Sequence, residues 1–243
     1  MSLKSTLIIT QARMTSSRLP GKVMMEVDGR SMLEYHLKRL ESLHAKVVVA
    51  TSVNAADDVI ETWCQQSNIS VYRGDELDVL ERFYNTHRVF GGEVIVRVTS
   101  DCPLIDSTLI LEGLAMYEAA NNEWCYVSNC FPRSFARGFD FEIFSAAMLN
   151  EAHLNASESG DREHVTPYFW KNRQGKYEMR NLEQEKNHSA IRVTLDEEDD
   201  FALIRKLLKE HNALNLGYNQ IEELLLSHPE LLAMNAHIEQ KKA

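Results

Sequence analysis

Short apolar runs alternate with amphipathic stretches along the first half of the chain. The runs are five to seven residues long and rich in Val and Ile, which is typical of buried strands. We predict strands at Thr6–Thr10, Lys46–Ser52, Ile69–Arg73 and Glu93–Val98. Because parallel strands need long crossover connections, this pattern favours an α/β fold around a mainly parallel sheet.

The segments between these runs carry helix signals. Ser31 to Leu43 opens with the capping-box pattern Ser31-x-x-Glu34, and Asn54 is placed to cap a second helix. Further helices are predicted at Glu76–Phe90 and Ser107–Ala120. Four βα repeats imply a doubly wound, Rossmann-like sheet, in which ligands lie at the carboxyl ends of the strands.

The pattern changes after Asn121. Separate strand signals and two helical stretches follow, at Trp124–Ser128, Phe139–Phe144, Lys176–Leu182, Ser145–Asn155 and around Pro167. Ala190–Thr194 is predicted to be a strand that returns to the sheet. Since no linker or repeat divides the chain, we interpret 1–243 as a single domain in which residues 121–189 form an embedded arm.

Charge and composition exclude several classes of protein. The formal net charge of -10 argues against a broad nucleic-acid surface, which needs a basic face. No apolar run is long enough to span a membrane, and the amino terminus lacks a signal peptide's apolar core. The four cysteines lack paired spacing, which favours reduced thiols without zinc and a cytoplasmic location.

The segment after the first strand has an uneven charge. No Asp or Glu occurs from Met1 to Met25, whereas Arg13, Arg18 and Lys22 all lie there. The loop QARMTSSRLPGK, residues 11–22, is neither a GxxxxGK[ST] loop nor a GxGxxG fingerprint. Its backbone N–H groups and cations are suited to a triphosphate. The alternative is a solvated basic loop.

The sequence QARMTSSRLPGKVM resembles the amino-terminal signature of the cytidylyltransferases. This family includes CMP-Kdo synthetases and acylneuraminate cytidylyltransferases, and the resemblance is strongest to its spore-coat polysaccharide branch. Four further blocks share the resemblance: RGDELDVLERF (73–83), RVTSDCPLID (97–106), GFDFEIFS (138–145) and REHVTPY (162–168). The resemblance implies a nucleotide-diphosphosugar transferase fold, dependence on Mg²⁺, and homodimers formed through an arm.

Two aspartates are candidates for the metal site. Asp101 follows a predicted strand, and Mg²⁺ prefers one or two carboxylates together with phosphate oxygens and water. The alternative for such a residue is a turn or helix cap, which is how we interpret Asp106. The resemblance implies that Asp196 joins Asp101 at the metal. The acidic residues that follow, 197–200, are interpreted mostly as acids at a helix amino terminus.

The loop after the first strand and the resemblance suggest which residues bind the nucleotide, whereas the clustering of polar residues in two blocks of the arm suggests which residues bind the acceptor. The predicted nucleotide site consists of Gln11, Ala12, Arg13, Arg18, Lys22, Asp75, Arg82 and Thr99. The predicted acceptor site consists of Arg137, Asp140, Glu142, Arg162 and His164. In an extended strand Asp140 and Glu142 would face one side, opposite two phenylalanines. The alternative is that these charges pair with one another at the base of a dimer arm. The helical histidines, His36 among them, are interpreted as surface or packing residues.

The predicted reaction is Mg²⁺-dependent transfer of a cytidylyl group from CTP to a sugar acid, with release of pyrophosphate, in surface glycan biosynthesis. Arg13, Lys22, Asp101 and Asp196 are its candidate catalytic residues. The expected partners are CTP, a sugar-like acceptor and a second copy of the chain, without nucleic acid or membrane. One alternative is a uridylyl- or guanylyltransferase acting on a sugar phosphate. Another is a silent nucleotide-binding protein, against which the presence of all four residues argues.

Overall fold

The computed structural model describes residues 5–239, which form an α/β fold. Its strands are β1 (Thr6–Gln11), β2 (Glu26–Val27), β3 (Arg30–Ser31), β4 (Lys46–Ser52), β5 (Ser70–Gly74), β6 (Val94–Thr99), β7 (Cys125–Ser128), β8 (Glu142–Ser145) and β9 (Glu178–Asn181). Its α-helices are α1 (Met32–Leu40), α2 (Asp58–Gln66), α3 (Val79–Phe90), α4 (Ser107–Ala120), α5 (Ala146–Asn155), α6 (Ser159–His164), α7 (Pro167–Trp170), α8 (Glu198–His211), α9 (Tyr218–Ser227) and α10 (Pro229–Ala233).

Seven strands form the central sheet in the order β5-β4-β1-β6-β8-β7-β9. Strand β1 pairs in parallel with β4 and β6, and β4 pairs in parallel with β5. Only β8 among these seven runs in the opposite direction, between β6 and β7. The prediction of a mainly parallel sheet is confirmed.

Both faces of the sheet are covered by helices. Ile8 and Val96 face a core that also contains residues of α4 and α8, whereas Leu7 and Ile95 face a second core with α3 and α5. All four side chains are nearly or fully buried. Burial on both faces explains why these strands are continuous apolar runs in the sequence.

Short polar side chains cap the amino termini of several helices and turns, some of them at positions predicted from the sequence. Ser31 Oγ accepts the Glu34 N–H at 3.1 Å and caps α1. Asn54 Oδ1 accepts the Ala56 N–H at 3.0 Å, which caps a short 3-10 turn at Ala55–Asp57 that leads into α2, and not α2 itself. Asp106 Oδ1 accepts the Thr108 N–H at 2.7 Å, which confirms its role as a cap. The helix predicted from Glu76 begins three residues later, after the cap Asp78.

The predicted strand at Ala190–Thr194 is wrong. Arg192 makes a single isolated bridge with Arg137, through hydrogen bonds from Arg137 N to Ile191 O (2.9 Å) and from Val193 N to Arg137 O (2.7 Å). The ladder ends there because the neighbouring segment is irregular: Gly138 has φ +110° and lies directly against the Val193 backbone. The apolar side chains of this segment are buried by packing rather than by strand pairing.

Residues 121–189 contribute three strands, β7, β8 and β9, to the central sheet. Helices α5 and α7 from this region pack against one face of the sheet, in the core that also contains α3. Its function as a dimerisation arm stays a prediction. In the part of the chain that the structure describes, no helix combines the length and apolar character needed to cross a bilayer.

Candidate active site

A cleft of about 460 Å³ opens at the carboxyl ends of β1 and β6. Parallel strands place their carboxyl ends at one edge, so the loops after β1 and β6 meet there. The cleft is lined by Gln11, Ala12, Arg13, Ser16, Ser17, Arg18, Lys22, Val23, Val79, Arg82, Thr99, Asp101, Glu163, His164 and Asp196. Seven of the eight predicted nucleotide-binding residues are therefore together, with both predicted metal ligands.

The loop after β1 is fixed by carboxylates from neighbouring segments. Asp57 Oδ1 accepts the Met14 N–H at 2.7 Å, and Glu76 Oε1 accepts the Thr15 hydroxyl proton at 2.6 Å. Arg13 is exposed at the cleft, and no carboxylate of residues 5–239 lies within ion-pair distance of it. The loop thus holds a cation in place without neutralising it.

Lys22, Asp101 and Asp196 form the charged centre of the cleft. The Lys22 ammonium lies 2.8 Å from Asp101 Oδ2 and 2.9 Å from Asp196 Oδ1. Burial lowers the pKa of Lys22, but the two carboxylates outweigh it and hold that pKa above its ordinary value. Burial alone would raise the pKa of Asp101, whereas the Lys22 charge lowers it to about 2. Arg18 also contacts Asp196, at 2.8 Å.

The two aspartates fit a magnesium site of the kind that phosphate-transferring enzymes use. Their carboxylates converge on one cation, the Lys22 ammonium, from segments that are distant in the sequence. Mg²⁺ commonly takes one or two protein carboxylates and completes its shell with phosphate oxygens and water. Within residues 5–239, no group of three or more His, Cys, Asp or Glu side chains is arranged to hold a metal by itself.

Arg82 is a buried donor at the wall of the cleft. The residue is only 2% exposed, Nη1 donates to Asp75 O at 2.8 Å, and Nε has no hydrogen-bond partner among the described residues. Burial lowers the pKa of Arg82 to about 10. A buried donor without a partner is costly unless a ligand supplies an acceptor.

The placement of Asp75 corrects its prediction as a nucleotide-binding residue. Asp75 does not line the cleft, because its carboxylate accepts the N–H groups of Leu77 (2.7 Å) and Asp78 (2.8 Å). These bonds shape the turn before α3. Asp75 therefore acts on the cleft through its backbone carbonyl, which orients Arg82.

A second cavity of about 630 Å³ adjoins the first, and Thr99 and His164 line both. The remaining lining residues are Arg97, Val98, Cys130, Phe131, Arg133, Arg137, Asp140, Glu142, Thr166, Pro167 and Trp170. Asp140 and Glu142 line the cavity while Phe139 and Phe141 are buried in the core, as the alternation predicts, although the strand expected from Phe139 begins only at Glu142. Most charges here are paired, Arg97 with Glu142 and Arg133 with Asp140.

Two arginines predicted to bind the acceptor have different surroundings. Arg137 lines the second cavity, is half-buried, and has no ion-pair partner among residues 5–239. Burial lowers its pKa. Arg162 lines neither cavity: it donates to Asp78 Oδ2 at 2.9 Å and to His153 O at 3.0 Å. The prediction that Arg162 contacts the acceptor is corrected, because α3 and α5 occupy its donors.

Comparison with known proteins identifies the family. The family model described as "Cytidylyltransferase" matches residues 7–227. The chain belongs to this family. The spore coat polysaccharide biosynthesis protein SpsF of Bacillus subtilis is 30% identical over 217 residues, which cover 86% of this chain and 88% of that protein.

A relative that matches over about half of its length and a solved structure are also similar to this chain. The 3-deoxy-manno-octulosonate cytidylyltransferase of Pectobacterium carotovorum is 34% identical over 121 residues, covering 46% of this chain and 47% of the relative. The solved structure of a cytidylyltransferase from Leptospira borgpetersenii superposes with a TM-score of 0.87 at 28% identity and covers 98% of each chain. This cytidylyltransferase is therefore a nucleotidyltransferase enzyme.

His164 lies where the two cavities of the cytidylyltransferase meet. The next residue, Val165, has φ 69° and ψ -60°, and Thr166 N donates to His164 O at 2.8 Å. This is a γ-turn with positive φ, a strained conformation for a β-branched residue. Strained turns persist where the surrounding packing fixes them, and Val165 is fully buried. The turn thus fixes the backbone of His164 at the junction, where its side chain is exposed.

Several lining residues were not singled out from the sequence. They are Ser16, Ser17 and Glu163 in the first cleft and Arg97, Phe131, Arg133 and Trp170 in the second. Arg97 had a usable signal, because an arginine inside an otherwise apolar strand needs a partner. The aromatic pair Phe131 and Trp170, whose rings stack with centroids 4.8 Å apart, had no such signal, since Phe131 lies in the loop after β7 and Trp170 ends α7.

Proposed function

We propose that this cytidylyltransferase transfers a cytidylyl group from CTP to a hydroxyl of a sugar acid, with Mg²⁺ as cofactor and pyrophosphate as the second product. The observation that carries the proposal is the continuity of two unlike cavities. The cleft at β1 and β6 holds unpaired cations beside two converging carboxylates. The second cavity adjoins this cleft at Thr99 and His164. A nucleotide and an acceptor bound side by side need this arrangement.

The cleft at the carboxyl ends of β1 and β6, which we call the nucleotide cleft, supports the proposal through its charges. Arg13 and Arg82 lack ion-pair partners among the described residues, so a bound triphosphate would supply the missing negative charge. Lys22 lines the same cleft and adds a further cation beside the triphosphate. Magnesium held by Asp101 and Asp196 would polarise the phosphate and neutralise its developing charge.

The proposed reaction requires mainly positioning. The acceptor oxygen attacks the α-phosphorus in line, the bond from this phosphorus to the bridging oxygen breaks, and pyrophosphate leaves with the electron pair. The proton of the acceptor hydroxyl passes to solvent or to a nearby base. Fixed cations stabilise the charge on the leaving group, and this is the contribution expected of Arg13 and Lys22.

The second cavity, which we call the acceptor cavity, has a charge balance that favours an acceptor with one negative charge. Its three arginines face two carboxylates, so one cation, Arg137, remains in excess among the lining residues. A carboxylate carries one negative charge, whereas a phosphate monoester carries nearly two near neutral pH. The named activity of the Pectobacterium relative, on 3-deoxy-manno-octulosonate, is consistent with a sugar acid. The name of the Bacillus relative supports a place in polysaccharide biosynthesis.

A screen for pyrophosphate release tests the proposal. The enzyme is incubated with CTP, UTP, GTP or ATP and with sugar acids or sugar phosphates of matched size, each with Mg²⁺ or with a chelator. We expect release only with CTP, a sugar acid and Mg²⁺. Preference for UTP or GTP with a sugar phosphate would overturn the assignment of both substrates. Light scattering of the same preparation tests the proposed homodimer.

A further inference from the structure

A chain of buried hydrogen bonds lies directly behind the metal-binding edge of the sheet. His36, in α1, is fully buried, with Nδ1 2.8 Å from Cys102 O and Nε2 2.9 Å from Thr10 Oγ1. Thr10 Oγ1 lies 2.8 Å from Ser100 Oγ. Thr10 and Ser100 are also fully buried. The chain therefore connects α1, β1 and the turn after β6 without contact with water.

The chemistry of its members fixes the direction of every bond. A carbonyl oxygen only accepts, so His36 Nδ1 carries the proton that bonds to Cys102 O. Burial lowers the pKa of His36 to about 4, so the ring is neutral near neutral pH and Nε2 is an acceptor. Thr10 must then donate to His36, and the Thr10 oxygen accepts from Ser100. One proton arrangement satisfies the whole chain.

Both ends of the chain hold the turn that contains Asp101. Ser100 and Cys102 flank Asp101, and the backbone of the turn is tied to β1 by a bond from Ser100 N to Gln11 O at 3.1 Å. Asp101 O accepts the Leu195 N–H at 2.7 Å, which joins this turn to the segment that carries Asp196. The carboxylates of Asp101 and Asp196 face each other because both backbones are fixed in this way.

We propose that His36 is a positioning residue for nucleotidyl transfer, which acts through Thr10 and Ser100 to fix the Asp101 carboxylate opposite Asp196. This inference rests on the proposed function, since it takes Asp101 as a ligand of Mg²⁺. Partners that orient metal ligands usually change metal affinity or activity by about 10- to 100-fold when they are removed. Both ring nitrogens of a buried histidine need partners in any case, and what favours a positioning role is that the two bonds lead to the residues on either side of Asp101, directly to Cys102 and through Thr10 to Ser100.

Thr10 offers a matched test, because the neighbouring strand contains an equivalent residue outside the chain. Thr51, in β4, is also fully buried, but its hydroxyl has no partner among the described residues. Thr10→Val and Thr51→Val therefore remove the same atom from adjacent strands. Thr10→Ser keeps the hydroxyl and should restore the chain. Thermal unfolding of all three variants establishes that they are folded before kinetics are compared.

Metal binding gives a readout that does not depend on turnover. We expect Thr10→Val to weaken Mn²⁺ binding, measured by electron paramagnetic resonance, by about 10-fold or more. The half-saturating Mg²⁺ concentration for pyrophosphate release should rise with it, while CTP binding measured without metal stays unchanged. Thr51→Val and Thr10→Ser should both resemble the wild type.

The outcomes separate this inference from the proposed function. If Thr10→Val binds Mn²⁺ as Thr51→Val does, or if Thr10→Ser is as impaired as Thr10→Val, the positioning role is wrong. If the wild type binds Mn²⁺ in the cleft but transfers no nucleotide to any acceptor, the proposed reaction fails. The Thr10 comparison by metal binding still decides the role of the chain in that case.

Discussion

The two adjoining cavities differ in how their charges are balanced. In the nucleotide cleft, Arg13 and Arg82 have no ion-pair partner in the part of the chain described by the structure. In the acceptor cavity, Arg97 and Arg133 are paired with Glu142 and Asp140. The first cleft therefore needs a polyanion to complete it, whereas the second is nearly complete before the acceptor binds.

If the proposed function holds, this difference predicts how each substrate is recognised. Unpaired cations attract a triphosphate strongly but select little beyond charge, because phosphate oxygens accept from any donor. Paired side chains in the acceptor cavity present donors and acceptors at fixed positions, which suits the hydroxyl groups of a sugar. Arg137 is the exception in this cavity and gives it a site for one negative charge.

The largest loss of activity is expected on substitution of Asp101 or Asp196, the two carboxylates in the nucleotide cleft. Asp101→Asn should reduce kcat/KM for pyrophosphate release by about 100- to 1,000-fold, because an amide lacks the charge that Mg²⁺ prefers. Asp196→Asn should behave similarly. Asp199→Asn is the control, since Asp199 is exposed and its ion pair within residues 5–239 is with the exposed His237, at 3.2 Å. A loss at Asp199 as large as that at Asp196 would show that the second ligand is misassigned.

The next effect separates the two kinds of cation in the nucleotide cleft. Lys22→Ala and Arg13→Ala should each lower kcat/KM, and the loss should correspond to about 2–4 kcal/mol less stabilisation of the transition state. Only Lys22→Ala leaves Asp101 and Asp196 facing each other without the cation between them. Mg²⁺ should therefore raise the Tm of Lys22→Ala more than that of Arg13→Ala or the wild type. Equal Mg²⁺ effects on all three would contradict the proposed metal site.

A smaller effect is expected in the acceptor cavity at its unpaired arginine. Arg137→Ala should raise the acceptor KM by about 10- to 100-fold, the range for losing a hydrogen bond to a charged group, with little change in the CTP KM. Arg162→Ala provides the matched control, because its guanidinium binds Asp78 and His153 O instead. It should lower the Tm without an acceptor-specific defect. The reverse result would restore Arg162 to the acceptor site.

The smallest effect is expected where the acceptor cavity already balances its own charge. Asp140→Asn keeps the shape of the side chain and weakens the pair with Arg133. A partly exposed ion pair contributes about 1 kcal/mol or less, so we expect an acceptor KM raised by a fewfold at most.

His164→Ala should affect the KM of both substrates, because His164 lines both cavities. An effect of His164→Ala confined to CTP would place the acceptor elsewhere.

The sequence predicts the parallel half of the sheet well because its signal is local. Strands β1 and β4 match their predicted bounds within one residue, since burial on both faces requires continuous apolar runs. The same signal misleads at Ala190–Thr194, where apolar side chains are buried but only one bridge forms. Burial can be inferred from such a pattern, whereas pairing depends on a distant neighbour.

Individual site residues depend on contacts that spacing does not determine. Asp75 and Arg162 lie in blocks that resemble the family, yet their side chains serve a turn and an ion pair. The helical pattern around His36 predicts a surface or packing residue, and it gives no sign of the partners Thr10 and Cys102, which lie 26 and 66 positions away. The residues of the loop after β1 were predicted together because their order in the sequence already places them in one loop.

The shared wall of the two cavities has a consequence for turnover. Thr99 and His164 border both spaces, so the product, once formed, would occupy both as a single molecule. Joining two ligands removes the cost of holding the second one separately, and the joined molecule binds more tightly than either part. Departure of the sugar nucleotide, rather than formation of its bond, would then limit the rate. The product should compete with CTP and with the acceptor alike.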